Sequence, residues 1–170
     1  MTFLNAIEDF PILIKRFIVL FVLCLATGYF TGFDLIYETT ALSATGIVEN
    51  YMGNEHNPSA DLMKFKKPEK EILVIIHTHV ISFALIFFAL GILILTLPIA
   101  PILKKWLLYE PFFSIVITFG SIYLIWKELP YVHYLAMISG ILLTVSFLTS
   151  ALLIIYYCVK PEDRPSNEQS

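Results

Sequence analysis

Apolar residues fall into four long runs separated by short polar breaks, at about 17–33, 72–97, 111–126 and 131–159. A helix that crosses a bilayer needs about 20 mostly apolar residues, and these runs meet or approach that length. Lys15 and Arg16 precede the first run and Asp34 follows it. Pro98 and Pro101 close the second, because proline cannot continue a helix. Pro111 suits the first turn of the third, and Trp126 with Lys127 suits an interfacial anchor at its end. Lys160 and Pro161 end the fourth, and only Lys127-Glu128-Leu129-Pro130 separates it from the third. That short link predicts a tight antiparallel hairpin. The pattern predicts an all-α fold, a four-transmembrane-helix bundle forming one domain over 1–160, with both termini on one side.

The long connection, 34–70, is too polar to span a membrane. Ile36, Tyr37, Leu42, Ile47, Val48, Tyr51 and Met52 give it apolar anchors, and Gly46 and Gly53 punctuate it. Asn57-Pro58 reads as an N-cap and the first residue of a short helix. An ordered cap lying on the bundle is expected. The tail, 161–170, holds no apolar residue and is expected to be disordered.

Composition narrows the class. Of 170 residues, 58% are hydrophobic and 15% charged, against about 25% charged in soluble domains. That excludes a soluble enzyme and a disordered linker. A formal charge of −3 offers no basic surface to nucleic acid. The expected partners are the lipid bilayer and other membrane protein subunits. Glu8 and Asp9 offset Lys15 and Arg16, so the first run reads as a retained span rather than a signal peptide. The basic pair before that span orients the chain with both termini cytoplasmic and 34–70 outside. The expected location is a bacterial inner membrane.

Small and weakly polar residues recur at helical spacing and predict packing seams. They are Cys24, Gly28 and Gly32 in the first span, Ser114, Thr118 and Ser121 in the third, and Ala136, Gly140 and Thr144 in the fourth. The second offers two rows, His79-Ser82-Ala89 and His77-Ala84-Gly91.

No Asp, Glu or Lys falls within the spans so drawn, which leaves the histidines as the candidate chemistry. His77 and His79 lie in the second span, His133 opens the fourth, and His56 is in the loop. An ionisable residue inside a span is a functional hypothesis by default. Residues two apart on a helix point about 200° apart, so His77 and His79 cannot share one ion. Three readings stay open. The histidines pack as interhelical hydrogen-bonding groups in an accessory or assembly protein. Alternatively, His133 with His79 or His77 holds a b-type haem, which would make this a small redox-associated subunit. In the third, His56 joins the others to take copper or zinc from outside. The more polar surroundings of His79 favour it over His77 as the partner of His133. No metalloprotease, phosphate-loop or paired-acid motif is present, so a stand-alone enzyme is not expected.

The stretch from Tyr37 to Glu55, followed by Glu71 and His77-Thr78-His79, resembles small bacterial four-span membrane proteins that carry an HxH in the second span. The likeness covers about 30–95 and implies the four-span topology. It carries no activity with it.

Overall fold

A computed structural model describes residues 6–55, 57 and 62–160. Among these the chain is all-helical. A single 3-10 turn, Ile7–Asp9, leads into α1 (Ile12–Thr40), α2 (Ala44–Met52), α3 (Glu69–Leu95), α4 (Pro101–Trp126) and α5 (Val132–Val159). Four of these, α1, α3, α4 and α5, are long and apolar enough to cross a membrane. The four alternate in direction, so both ends of the helical region lie on one side. The contacts agree: the Lys160 ammonium reaches Glu8 at 3.4 Å, and the Ile7 N–H donates to the Thr96 carbonyl at 3.2 Å.

Two helices begin or end away from the sequence-based bounds. α1 starts at Ile12 and runs on to Thr40, absorbing Asp34, Ile36, Tyr37 and Glu38. Ile36 and Tyr37 are exposed residues of α1 and do not anchor the cap. α4 starts at Pro101, not Pro111, which is a buried residue inside the helix. Both prolines fit a first turn by sequence. Pro111 is tolerated within the membrane because neighbouring groups can take over the freed backbone carbonyl.

α5 packs on α4 and α1, and α4 packs on α3. The centre is aromatic. Tyr29 of α1 stacks on Phe147 of α5 with centroids 4.1 Å apart, and its hydroxyl donates to Thr144 at 2.9 Å. Phe83, Phe87 and Phe119 extend the same cluster. The small-residue rows divide. On α3, Gly91 is buried, and an added Cβ would stand 3.3 Å from Leu108 of α4, so this is a close helix approach. On α1 the expected seam is overturned. Cys24, Gly28 and Gly32 are exposed, and a Cβ at either glycine would meet nothing within 4 Å. Helical spacing shows that residues share a face but not which way that face turns.

The cap is built by close backbone approach. Ala41 and Leu42, both with φ near 50°, turn the chain sharply from α1 into α2. The Ser43 side chain caps α2 by accepting from the Gly46 N–H at 3.0 Å. A Cβ at Gly46 would lie 2.0 Å from the Thr40 carbonyl oxygen, so only glycine fits that corner. Beyond α2, residues 51–54 run beside 64–67. The Asn54 N–H donates to the Lys64 carbonyl at 2.9 Å, and the Lys67 N–H to the Tyr51 carbonyl at 3.1 Å. Asn54 is buried and clasps the loop: its Oδ1 accepts from the Lys64 N–H, and its Nδ2 donates to the Leu62 carbonyl at 2.9 Å. The half-buried Ile47, Val48, Tyr51 and Met52 belong to α2, which contacts α4 and α5. Burial raises the Tyr51 phenol above its ordinary pKa. The expected short helix at Asn57-Pro58 falls on Pro58, outside the described residues.

Candidate functional site in the α4–α5 pair

With α4 beginning at Pro101, Glu110 becomes a helix-interior residue. Trp106 and Trp126 are 20 positions apart, or about 30 Å along the axis, the thickness of a hydrocarbon core. Tryptophans at that separation suit the two interfaces. Glu110 stands one turn inside the Trp106 level, about 6 Å deeper. This corrects the expectation that the spans contain no carboxylate.

The Glu110 side chain is half-buried and turned toward α5. The Ser114 hydroxyl, one turn along α4, donates to one carboxylate oxygen, and the Ser146 hydroxyl of α5 donates to the other. Ser114 is 3% exposed and Ser146 0%, so both donors sit in the dry helix interface. Among the described residues Glu110 has no ionic partner. Its partners are neutral hydroxyls, which distinguishes this carboxylate from Glu8, Glu69, Glu71 and Glu128, each paired with a lysine.

The polar seam continues. Two turns beyond Glu110, Thr118 donates to Ser139 at 2.7 Å, and Ser139 donates onward to the Leu135 carbonyl at 2.8 Å. Ser121 and Ser150 are also buried. The seam had a signal in the sequence: Ser114, Thr118 and Ser121 share a face, and stepping back four residues lands on Glu110. Starting the helix at Pro111 hid that step.

The predicted histidines are placed separately. His77 is exposed on α3. His79 is also exposed by area, but its ring lies 5.4 Å from Phe119 of α4 and 6.3 Å from Phe83. Its Nδ1 is 2.7 Å from the Ile75 carbonyl. A carbonyl can only accept, so Nδ1 carries a hydrogen, which in the neutral ring leaves the lone pair on Nε2. His133 is half-buried beside Tyr134, 4.2 Å away, at the start of α5. The described contacts do not bring His79 and His133 together. His56 lies outside the described residues. Among the described residues no cluster of three or more His, Cys, Asp or Glu is arranged to hold a metal.

At the other end of the bundle, polar contacts tie α3 and the cap to the α4–α5 turn. The Trp126 indole donates to the Lys67 carbonyl at 2.8 Å, and Lys66 pairs with Glu128 at 2.6 Å. The hydrogen bond that Lys66 donates, together with its charge, lowers the Glu128 carboxyl pKa from its ordinary value.

Four apolar spans, an aromatic core and a buried polar seam define an integral, multi-pass membrane protein. Residues 41–165 match the model of the Aq_1264_TM family, described as a transmembrane helical domain, and the chain belongs to that family. The match takes in α2 to α5 and leaves α1 outside it. No curated protein and no solved structure matches the chain.

Proposed function

We propose that the protein is a membrane-embedded, non-enzymatic subunit that takes up and releases a proton at Glu110. The observation that carries this reading is the Glu110 carboxylate, inside the membrane, held by two hydroxyls and, among the described residues, by no cation. Charge is costly in hydrocarbon, and ionisable groups kept there commonly mark ion or proton pathways. A salt-bridged carboxylate is committed to its partner, whereas hydroxyls can accept as well as donate and so can accompany either protonation state. The depth, one turn inside the Trp106 level, favours exchange with water on the side of the termini. A dry hydrophobic carbodiimide adds to protonated carboxyls in the membrane and tests this directly. The wild type should be labelled at Glu110, and Glu110→Gln should lose that label. An unlabelled wild type, or equal labelling of the variant, would contradict the reading.

A second reading is a b-type haem held by His79 and His133, with His77 as the substitute ligand, in a redox-associated subunit. It is favoured by the His79 ring, whose engaged Nδ1 leaves Nε2 as a ligating nitrogen. The separate surroundings of His79 and His133 favour the first reading. Reduced-minus-oxidised absorption bands in purified protein, lost in His79→Ala and His133→Ala, would replace it with the second.

The proposed setting is a bacterial inner membrane with both termini cytoplasmic, which puts the exchange side of Glu110 in the cytoplasm. The orientation rests on Lys15 and Arg16 near the start of α1. In a chain with Cys24 and Cys158 replaced by Ser, an impermeant maleimide should label Glu55→Cys in intact cells and leave Lys105→Cys unlabelled. The opposite pattern would reverse the orientation.

A further inference from the structure

A second site lies at the opposite end of the bundle, between the cap and the α4–α5 turn. A cavity of about 280 Å³ opens there. Val48 and Met52 of α2 form one wall, and Ile125 and Leu129 form another. Glu128, Pro130, Tyr131 and His133 complete the lining. The turn that carries them is strained: Glu128 and Tyr131 have φ of 66° and 65°, in the left-handed region where a Cβ is unfavourable. Non-glycine residues held in such conformations cluster at ligand clamps and functional sites. Trp126, one residue before the turn, marks this level as the membrane interface.

We infer that this cavity receives the head of a membrane-dissolved amphiphile that bears a carbonyl oxygen, with its chain leaving past Leu129 and Tyr131 into lipid. Both of those side chains are exposed, 47% and 76%, so the exit is open. Charge selects the head. Lys66 pairs with Glu128 at 2.6 Å and Lys127 with Glu69 at 3.4 Å, so Glu128, the charged residue of the lining, already has its counter-charge. Of the lining side chains, His133 with its ring N–H and Tyr131 with its phenol O–H are the neutral donors, and a carbonyl oxygen complements either. The walls are otherwise apolar, the usual make-up of a small-molecule site with few orienting polar groups. A quinone ring and a glyceride ester share this chemistry.

The test uses the full chain in detergent with 15N-labelled histidine, and two probes: a decyl-substituted benzoquinone and dioctanoylglycerol. At least one probe should move the His133 ring resonances saturably while leaving those of His77 and His79 in place. Saturation by the quinone alone assigns a ring head, and by the glyceride alone an ester head. Val48→Phe and Met52→Phe narrow the cavity from the other wall without touching His133. Each should weaken the saturable shift at least tenfold, and either one that folds with unchanged helical content suffices. Equal drift of the His77, His79 and His133 resonances, no saturable shift with either probe, or undiminished binding in a folded cavity-narrowed variant would overturn the assignment.

Discussion

Gly53→Val should detach the cap from the bundle. Gly53 has φ 78° and ψ 176°, a combination essentially confined to glycine. An added Cβ would also meet three backbone atoms of the facing segment, at 2.7 to 2.8 Å from Lys66 N, Lys64 O and Phe65 C. None of these clashes can be relieved by turning a side chain, because the obstacles are main chain. Backbone strain and overpacking together should cost about 3 kcal/mol. The ladder joining 51–54 to 64–67 is the element expected to yield, and the Asn54 clasp would open with it. Added protease should then cut the folded variant between Gly53 and Phe65 much faster than the wild type, with the four spans intact. Unchanged cutting would mean that the cap is held elsewhere.

Ser114→Ala combined with Ser146→Ala should be the most damaging change within the spans. Together they remove both donors from Glu110 and leave a carboxylate facing apolar groups. An unsatisfied buried acceptor costs about 1–3 kcal/mol, more when charged, so the pair should lose about 3 kcal/mol. Each single variant should lose less than half of that, because the surviving hydroxyl still serves the carboxylate. Adding Glu110→Leu to the pair should restore most of the loss, since replacing all partners by apolar groups leaves nothing unsatisfied. Thermal unfolding in detergent of the wild type, the pair and the triple variant checks this. No rescue would mean that the serines matter by packing alone.

The four-span architecture was legible because hydropathy and length decide it. What escaped was set by tertiary contact. Pro101 and Pro111 are equally good helix starts by local chemistry, and choosing the later one placed Glu110 in a loop. α1 was drawn too short because Asp34 and Glu38 look like an ending, yet a helix can project beyond the bilayer carrying them. The Gly28 and Gly32 row was visible, but its outward direction depends on where α5 and α3 dock. Gly46 and Gly53 were legible as punctuation, while their reasons, the Thr40 carbonyl and the 64–66 backbone, come close to them only on folding. The histidine spacing set His77 and His79 on different sides of their helix, while Phe119 beside His79 came from another helix.

Infrared difference spectroscopy of the purified protein in lipid tests the central claim most directly. Stepping the pH should reveal a carboxylic C=O stretching band that rises on acidification and falls on return to alkaline conditions. It should shift in Ser146→Ala, which removes one of its hydrogen bonds, and vanish in Glu110→Gln. A difference spectrum in which Glu110→Gln matches the wild type would contradict proton uptake at Glu110.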